Sequence, residues 1–179
     1  EETLLVGADI AAGVIVLPGT HSKWVQMADG GVARFATFFT GEMNALIREH
    51  SAVGRALLTA KGAAPPDPLD GPAFDQGIQA AKTGASRWLH DLFVMRASVV
   101  TARQSAEQVS TALSGWLLGC EFVAALEMFP GCDTSVLIAS ANLVPWYQRA
   151  AAAFGVHCTT LDADQLAARG IWRIAHRLT

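Results

Sequence analysis

The feature that most restricts the fold is a dipeptide, Asp29-Gly30, set between two runs in which apolar and polar residues alternate. A two-residue hairpin loop needs positive φ at its centre, and Asp-Gly is one of the pairs that takes it most readily. Lys23 to Met27 alternates before the turn, and Val32 to Phe39 alternates after it. Upstream, the β-branched run Val14-Ile15-Val16-Leu17 ends at Pro18-Gly19, where the chain must turn. Three successive strands joined this tightly form an antiparallel meander.

The period then changes. Thr40-Gly41-Glu42 opens a helix with an apolar face of Met43, Leu46 and Ile47, and Thr40 is placed to cap its free amides. Helical spacing continues over Val53 to Ala60. Residues 61–72 (KGAAPPDPLDGP) form the Pro/Gly-rich stretch and are expected to be a loop or lid connection. Helices are expected over Ala73 to Lys82 and Ser86 to Ala97, then one long, mostly buried helix from Ser105 to Phe129. After Pro130-Gly131 come a strand (Ser135 to Ala139), a helix (about Pro145 to Phe154), a short strand (Val156 to Thr159) and a last helix from about Asp162. The order is βββα, further helices, then βαβα. That makes an α/β chain with the element order of the ribonuclease H-like fold.

Bulk properties narrow the function. The 179 residues are 51% hydrophobic, enough to bury one substantial core. The formal charge of −3 provides no basic field for a nucleic-acid backbone. An anionic ligand must therefore be met by local donors. Cys120, Cys132 and Cys158 are odd in number and scattered, which suits reduced thiols in a cytoplasmic protein. No apolar run reaches the length a membrane span needs, the most hydrophobic stretches being interrupted by Gly, Ser, Asp or Glu, and no signal peptide is read. Glu1 to Leu5 reads like the middle of an element, so the chain is expected to be a fragment.

Leu17-Pro18-Gly19-Thr20-His21-Ser22-Lys23-Trp24 carries the strongest chemistry. A strand-turn-strand tipped by Gly-Thr-x-Ser gathers backbone amides, two hydroxyls and a Lys, which is what phosphate oxygens require. Gly19 would permit close backbone approach. Taken alone, the same residues could make an ordinary hairpin with a polar tip, and Lys23 could project from either face of its strand. The longer strings decide more. LPGTHSKWV (Leu17 to Val25), FxTFxTGE (Phe35 to Glu42), His50-Ser51 and AARGIWR (Ala167 to Arg173) together resemble the 2-keto-3-deoxygalactonate kinase family over nearly the whole chain. That family belongs to the actin-like ATPase superfamily of sugar kinases.

The resemblance implies an ATP-dependent, Mg²⁺-requiring transfer of phosphate to the terminal hydroxyl of 2-dehydro-3-deoxygalactonate, giving the 6-phosphate, in bacterial galactonate breakdown. It implies that residues 1–179 are the C-terminal, nucleotide-binding lobe. An absent N-terminal lobe would carry the other phosphate loop, the Mg²⁺-directing Asp and most of the sugar site. Indeed, no Asp-x-Gly-Thr motif occurs in the chain. The hairpin tip would be the second phosphate motif, with Gly19, Thr20, His21, Ser22 and Lys23 on the β- and γ-phosphates. Glu1 or Glu2 would be the general base, Glu1 favoured and Asp9 a weaker candidate. Ala139, Ser140 and Ala141 occupy the adenosine position, where the family's superfamily usually has paired glycines. No residue of the chain is assigned to metal.

Arg87, Arg96 and Arg103 are candidates for a sugar-acid carboxylate or a partner subunit, and a homodimer is expected from the apolar composition. Gly115 and Gly119, four apart, suggest close helix packing. The five tryptophans are expected mostly in the core, and His90-Asp91 in a structural role. Two alternatives stand beside the main reading: a kinase for another keto-deoxy sugar acid, and a noncatalytic nucleotide-binding or dimerising module of the same fold.

Overall fold

A computed structural model describes residues 1–59, 71–84 and 87–177. In chain order its elements begin with α1 (Glu2–Ala8), β1 (Gly13–Leu17), β2 (Ser22–Ala28) and β3 (Gly31–Phe38). Five helices follow: α2 (Thr40–His50), α3 (Ala52–Thr59), α4 (Gly71–Gly84), α5 (Trp88–Val100) and α6 (Ala106–Met128). The chain closes with β4 (Thr134–Ala139), α7 (Val144–Ala153), β5 (His157–Asp162) and α8 (Ala163–Arg177). Most of the expected loop, residues 61–70, lies outside the described residues. Gly71 and Pro72 belong to α4, not to that loop. The chain divides into two compact units, Glu1–Phe38 with Met128–Thr179, and Phe39–Glu127.

The first unit is a five-stranded sheet in the order β3-β2-β1-β4-β5. β1, β2 and β3 pair antiparallel, while β1 with β4 and β4 with β5 pair parallel. Asp29 (φ 50°) and Gly30 (φ 75°) supply the two positive φ angles of the expected hairpin turn. Side chains alternate between faces along a strand. Ile15 is paired with Val25 and Leu17 with Lys23, so these four share one face. Ile15, Leu17, Val25, Met27, Ile138 and Leu166 form a core there, with Leu4, Leu5 and Ala8 of α1 packed against it. Val16 and Trp24 point the other way and are buried; Trp24 lies 6.2 Å from the Phe129 ring.

Two glycines let α1 and α8 approach backbone to backbone. A Cβ on Gly7 would sit 2.1 Å from the Leu166 carbonyl oxygen, and one on Gly170 would sit 1.9 Å from that of Thr3. Arg173 on α8 secures the far end of α1. It donates to the Val6 carbonyl at 3.0 Å and to the Asp9 carboxylate at 2.7 Å. Asp9 itself ends α1 in the left-handed conformation, φ 56°. It is thus a helix-terminal residue held by an arginine.

The second unit is helical. Its core gathers Ile47, Val53, Leu57, Ala81, Val109, Leu113 and Trp116 around α6. The small-residue expectation for Gly115 holds: its Cβ would meet the Phe74 carbonyl of α4 at 2.2 Å, and one on Gly119 would meet Ala81 Cβ at 2.6 Å. Three expectations are corrected. Thr40 does not cap α2; Phe39 is the N-cap residue, and the Thr40 hydroxyl donates instead to the buried Glu121 carboxylate at 2.5 Å. α6 is long and apolar enough to cross a membrane by length and composition, although most of it is buried within the protein. Of the five tryptophans, Trp24 and Trp116 are buried, whereas Trp88 and Trp172 are about half exposed or more.

Candidate nucleotide site

Parallel pairing of β1 with β4 brings two sequence-distant turns together. Val14, Ile15 and Val16 register with Ser135, Val136 and Leu137, so both strands run out at the same edge of the sheet. The Pro18-Gly19-Thr20-His21 turn leaves β1 there, beside the Ala139-Ser140 turn that leaves β4. Ligands of open α/β sheets commonly sit at the carboxyl ends of parallel strands, where loops can spread around them. Between the two turns is a cleft of about 380 Å³, closed at one side by Glu1 and Leu4 and at another by Ala163.

The cleft includes Gly19, Thr20, His21, Lys23, Ala139, Ser140 and Glu1. Thr20 and His21 are exposed at the tip. Gly19 has no positive φ, and a Cβ on it would meet no described atom within 4 Å. The turn geometry therefore does not demand glycine; the missing side chain simply leaves room in the cleft. Ala139 is buried at its floor, and the Ser140 hydroxyl donates to Asn142 Oδ1 at 2.6 Å.

Glu1 occupies the N-cap position of α1. Its Oε1 lies 2.5 Å from Lys23 Nζ, which also donates to the His21 carbonyl at 3.0 Å. The face of Lys23 follows from strand parity. Lys23, Val25 and Met27 share the side of the sheet that α1 covers, so the ammonium comes up beneath the start of that helix.

Three expected residues lie outside the cleft. Ser22, one residue before Lys23, takes the opposite parity with Trp24 and is fully buried. Its hydroxyl is not presented to a ligand in the cleft. The Glu2 side chain is 95% exposed and borders a separate hollow of about 110 Å³ with Val32 and Phe35. Ala141 is exposed beyond Ser140 and is not part of the lining. Conversely, Leu4 and Ala163 line the cleft without having been singled out in the sequence. Ala163 follows β5, which is parallel to β4, so the same strand-end rule points to it. Arg87, Arg96 and Arg103 belong to the helical unit.

Among the described residues no three His, Cys, Asp or Glu side chains gather as a metal site would. The three cysteines are free thiols. Burial pushes Cys120 up to about 11, with the Asp91 carboxylate adding to it. Burial likewise pushes Cys132 up to about 11, helped by neighbouring Cys158 and Asp133. These thiols stay protonated at neutral pH and are poor nucleophiles.

Residues 1–174 match the family model of 2-keto-3-deoxy-galactonokinase. The chain belongs to this kinase family. It is 35% identical over 178 residues to the 2-dehydro-3-deoxygalactonokinase of Escherichia coli (strain K12), across 98% of the chain. A Rhizobium meliloti (strain 1021) protein, described as a probable kinase of the same name, is 33% identical over 183 residues and covers 96% of the chain. The chain spans 58% of the length of each of these two relatives. A crystal structure of a family protein from Sinorhizobium meliloti superposes with a TM-score of 0.88 and 30% identity, over 99% of this chain and 59% of that one. The fold of this chain is α/β and ribonuclease H-like, as its element order leads us to expect, and it is the lobe of the actin-like ATPases that the family resemblance implies.

Proposed function

We propose that this chain is the C-terminal, nucleotide-binding part of an ATP-dependent kinase that phosphorylates the terminal hydroxyl of 2-dehydro-3-deoxygalactonate to the 6-phosphate. The observation that carries the reading is the convergence at one sheet edge of the Gly19–His21 tip, the Ala139-Ser140 turn and the Glu1 carboxylate. Transfer to a hydroxyl needs fixed donors on the phosphates and a carboxylate to receive the hydroxyl proton. Here the tip amides and the Thr20 hydroxyl serve the β- and γ-phosphates, with His21 beside them. Ala139 and Ser140 leave space for the nucleoside. Glu1, not the outward-facing Glu2, is the base that takes the proton from the sugar-acid hydroxyl as the oxygen attacks.

The donor set of the cleft suits phosphate. It does not suit a metal ion, because its one carboxylate is already paired with Lys23. Mg²⁺ would therefore enter with the nucleotide and be directed by the part of the kinase beyond these 179 residues. When bound it neutralises charge on the phosphate oxygens. The sugar-acid site is assigned to that same remainder.

The test is transfer of labelled phosphate from ATP to 2-dehydro-3-deoxygalactonate by the full-length protein, beside the gluconate epimer and beside residues 1–179 alone. The galactonate derivative is the expected preferred acceptor, and the 179-residue piece is expected to be inactive. If the full-length protein phosphorylates no sugar acid, the kinase reading fails. Strong preference for the gluconate epimer would overturn only the substrate.

A further inference from the structure

We propose that Lys23 is a positioning residue for the base Glu1 and not a ligand of the nucleotide phosphates; the inference rests on the base assignment made above. A lysine within a phosphate-binding turn is ordinarily read as a cation for phosphate. Its surroundings here point elsewhere. Strand parity sends the side chain under α1, on the face of Leu17 and Val25, and not outward from the tip. Among the described residues its Nζ has two partners, Glu1 Oε1 at 2.5 Å and the His21 carbonyl oxygen at 3.0 Å. The Lys23 side chain is only 18% exposed, against 48% for Glu1. The cation is thus the inner, fixed member of the pair, and the carboxylate is the outer member, reaching the cleft.

The two contacts tie together parts that the mechanism needs in register. One fixes the carbonyl at the end of the phosphate turn, and the other fixes the carboxylate at the start of α1. Lys23, Glu1 and Leu17 line both the cleft and the smaller hollow beside it, so the ion pair forms the partition between them. A carboxylate on a free glutamate side chain samples several rotamers. Holding it in one converts the proton acceptor into an oriented group, and orientation errors near 1 Å can cost about 10²-fold in rate. A phosphate ligand acts differently, because its loss weakens nucleotide binding itself.

Steady-state kinetics of the full-length protein separate the two roles. Lys23→Met keeps the length of the stem without the charge, Lys23→Arg keeps a cation, and Glu1→Gln removes the base. We expect Lys23→Met to lower kcat by about 10- to 100-fold, the scale of a misplaced catalytic group, with the ATP KM changed less than about threefold. Lys23→Arg should recover most of the loss. Adding Lys23→Met to Glu1→Gln should cost little more than Glu1→Gln alone, because groups acting as a unit are not additive. A Lys23→Met protein with unchanged kcat and an ATP KM raised tenfold would overturn the proposal and return Lys23 to the phosphates. Full additivity of the two substitutions overturns it as well, and if Lys23→Met is poorly folded, Lys23→Gln, which also removes the cation, takes its place in the cycle. A Glu1→Gln protein with wild-type turnover sinks the base assignment itself, a different failure.

Discussion

Gly170→Ala tests whether the α1–α8 crossing sets the position of Glu1. The added Cβ would lie 1.9 Å from the Thr3 carbonyl oxygen, whereas ordinary contact begins near 3.4 Å. One helix must withdraw by about 1.5 Å, and the obstacle is backbone, not a side chain that can rotate away. Forcing a methyl into a packed interface costs about 1–3 kcal/mol. Alanine returns about 0.8–1.0 kcal/mol of helix propensity. The net loss is about 0–2 kcal/mol, a lowering of Tm by up to roughly 8 °C at about 2–4 °C per kcal/mol for a chain of this size. Function should suffer more than stability. Thr3 is two residues from Glu1, so a withdrawn α1 carries the carboxylate off Lys23, and a displacement near 1 Å is worth about 10²-fold in rate. The assay pairs thermal melting with phosphate transfer at a temperature where the variant is fully folded. A variant that melts with the wild type and turns over at the wild-type rate would show that the helices yield elsewhere, and the argument would be wrong.

Gly19→Ala gives the opposite pattern. The new Cβ meets no described protein atom within 4 Å and the backbone φ is ordinary, so stability should stay within about 0.5 kcal/mol of wild type. If phosphate approaches this backbone, the ATP KM should nevertheless rise severalfold in steady-state kinetics; an unchanged KM would remove Gly19 from the site. The cysteines predict a pH dependence. With Cys120 and Cys132 raised from 9.0 to about 11 in the fold, both states hold the protons below pH 9 and the contribution is complete there. As pH rises from about 9 towards about 11 the unfolded chain ionises first, so stability falls. Urea midpoints at pH 8 and pH 10.5 should therefore drop more for the wild type than for Cys132→Ser, and equal drops would contradict the burial of that thiol.

What could be read from the sequence divides by distance along the chain. The hairpin was legible because Asp29 and Gly30 carry its φ requirement themselves, and the long α6 because its apolar pattern is unbroken by proline. Thr40 misled because a local rule met a distant competitor. Its hydroxyl is free to cap in an isolated helix, but Glu121, 81 residues later, supplies a buried carboxylate for it. Gly7 and Gly170 lie beyond local reading altogether, since the need for glycine at each exists only once the other helix has docked. The candidate site falls between these cases. The alternation Ser22, Lys23, Trp24, Val25 already puts Ser22 and Lys23 on opposite faces, but both faces carry buried apolar residues, Trp24 on one and Val25 on the other. Parity alone therefore separates the Ser22 hydroxyl from the Lys23 ammonium without saying which is presented. It could not say what lies above Lys23. That required the sheet order, which sets β1 between β2 and β4, and the glycine-mediated docking of α1 on α8. With both in place, Lys23 of the Leu17–Trp24 turn faces the Glu1 carboxylate at the start of α1, so the proposed phosphate turn and the proposed base stand or fall together.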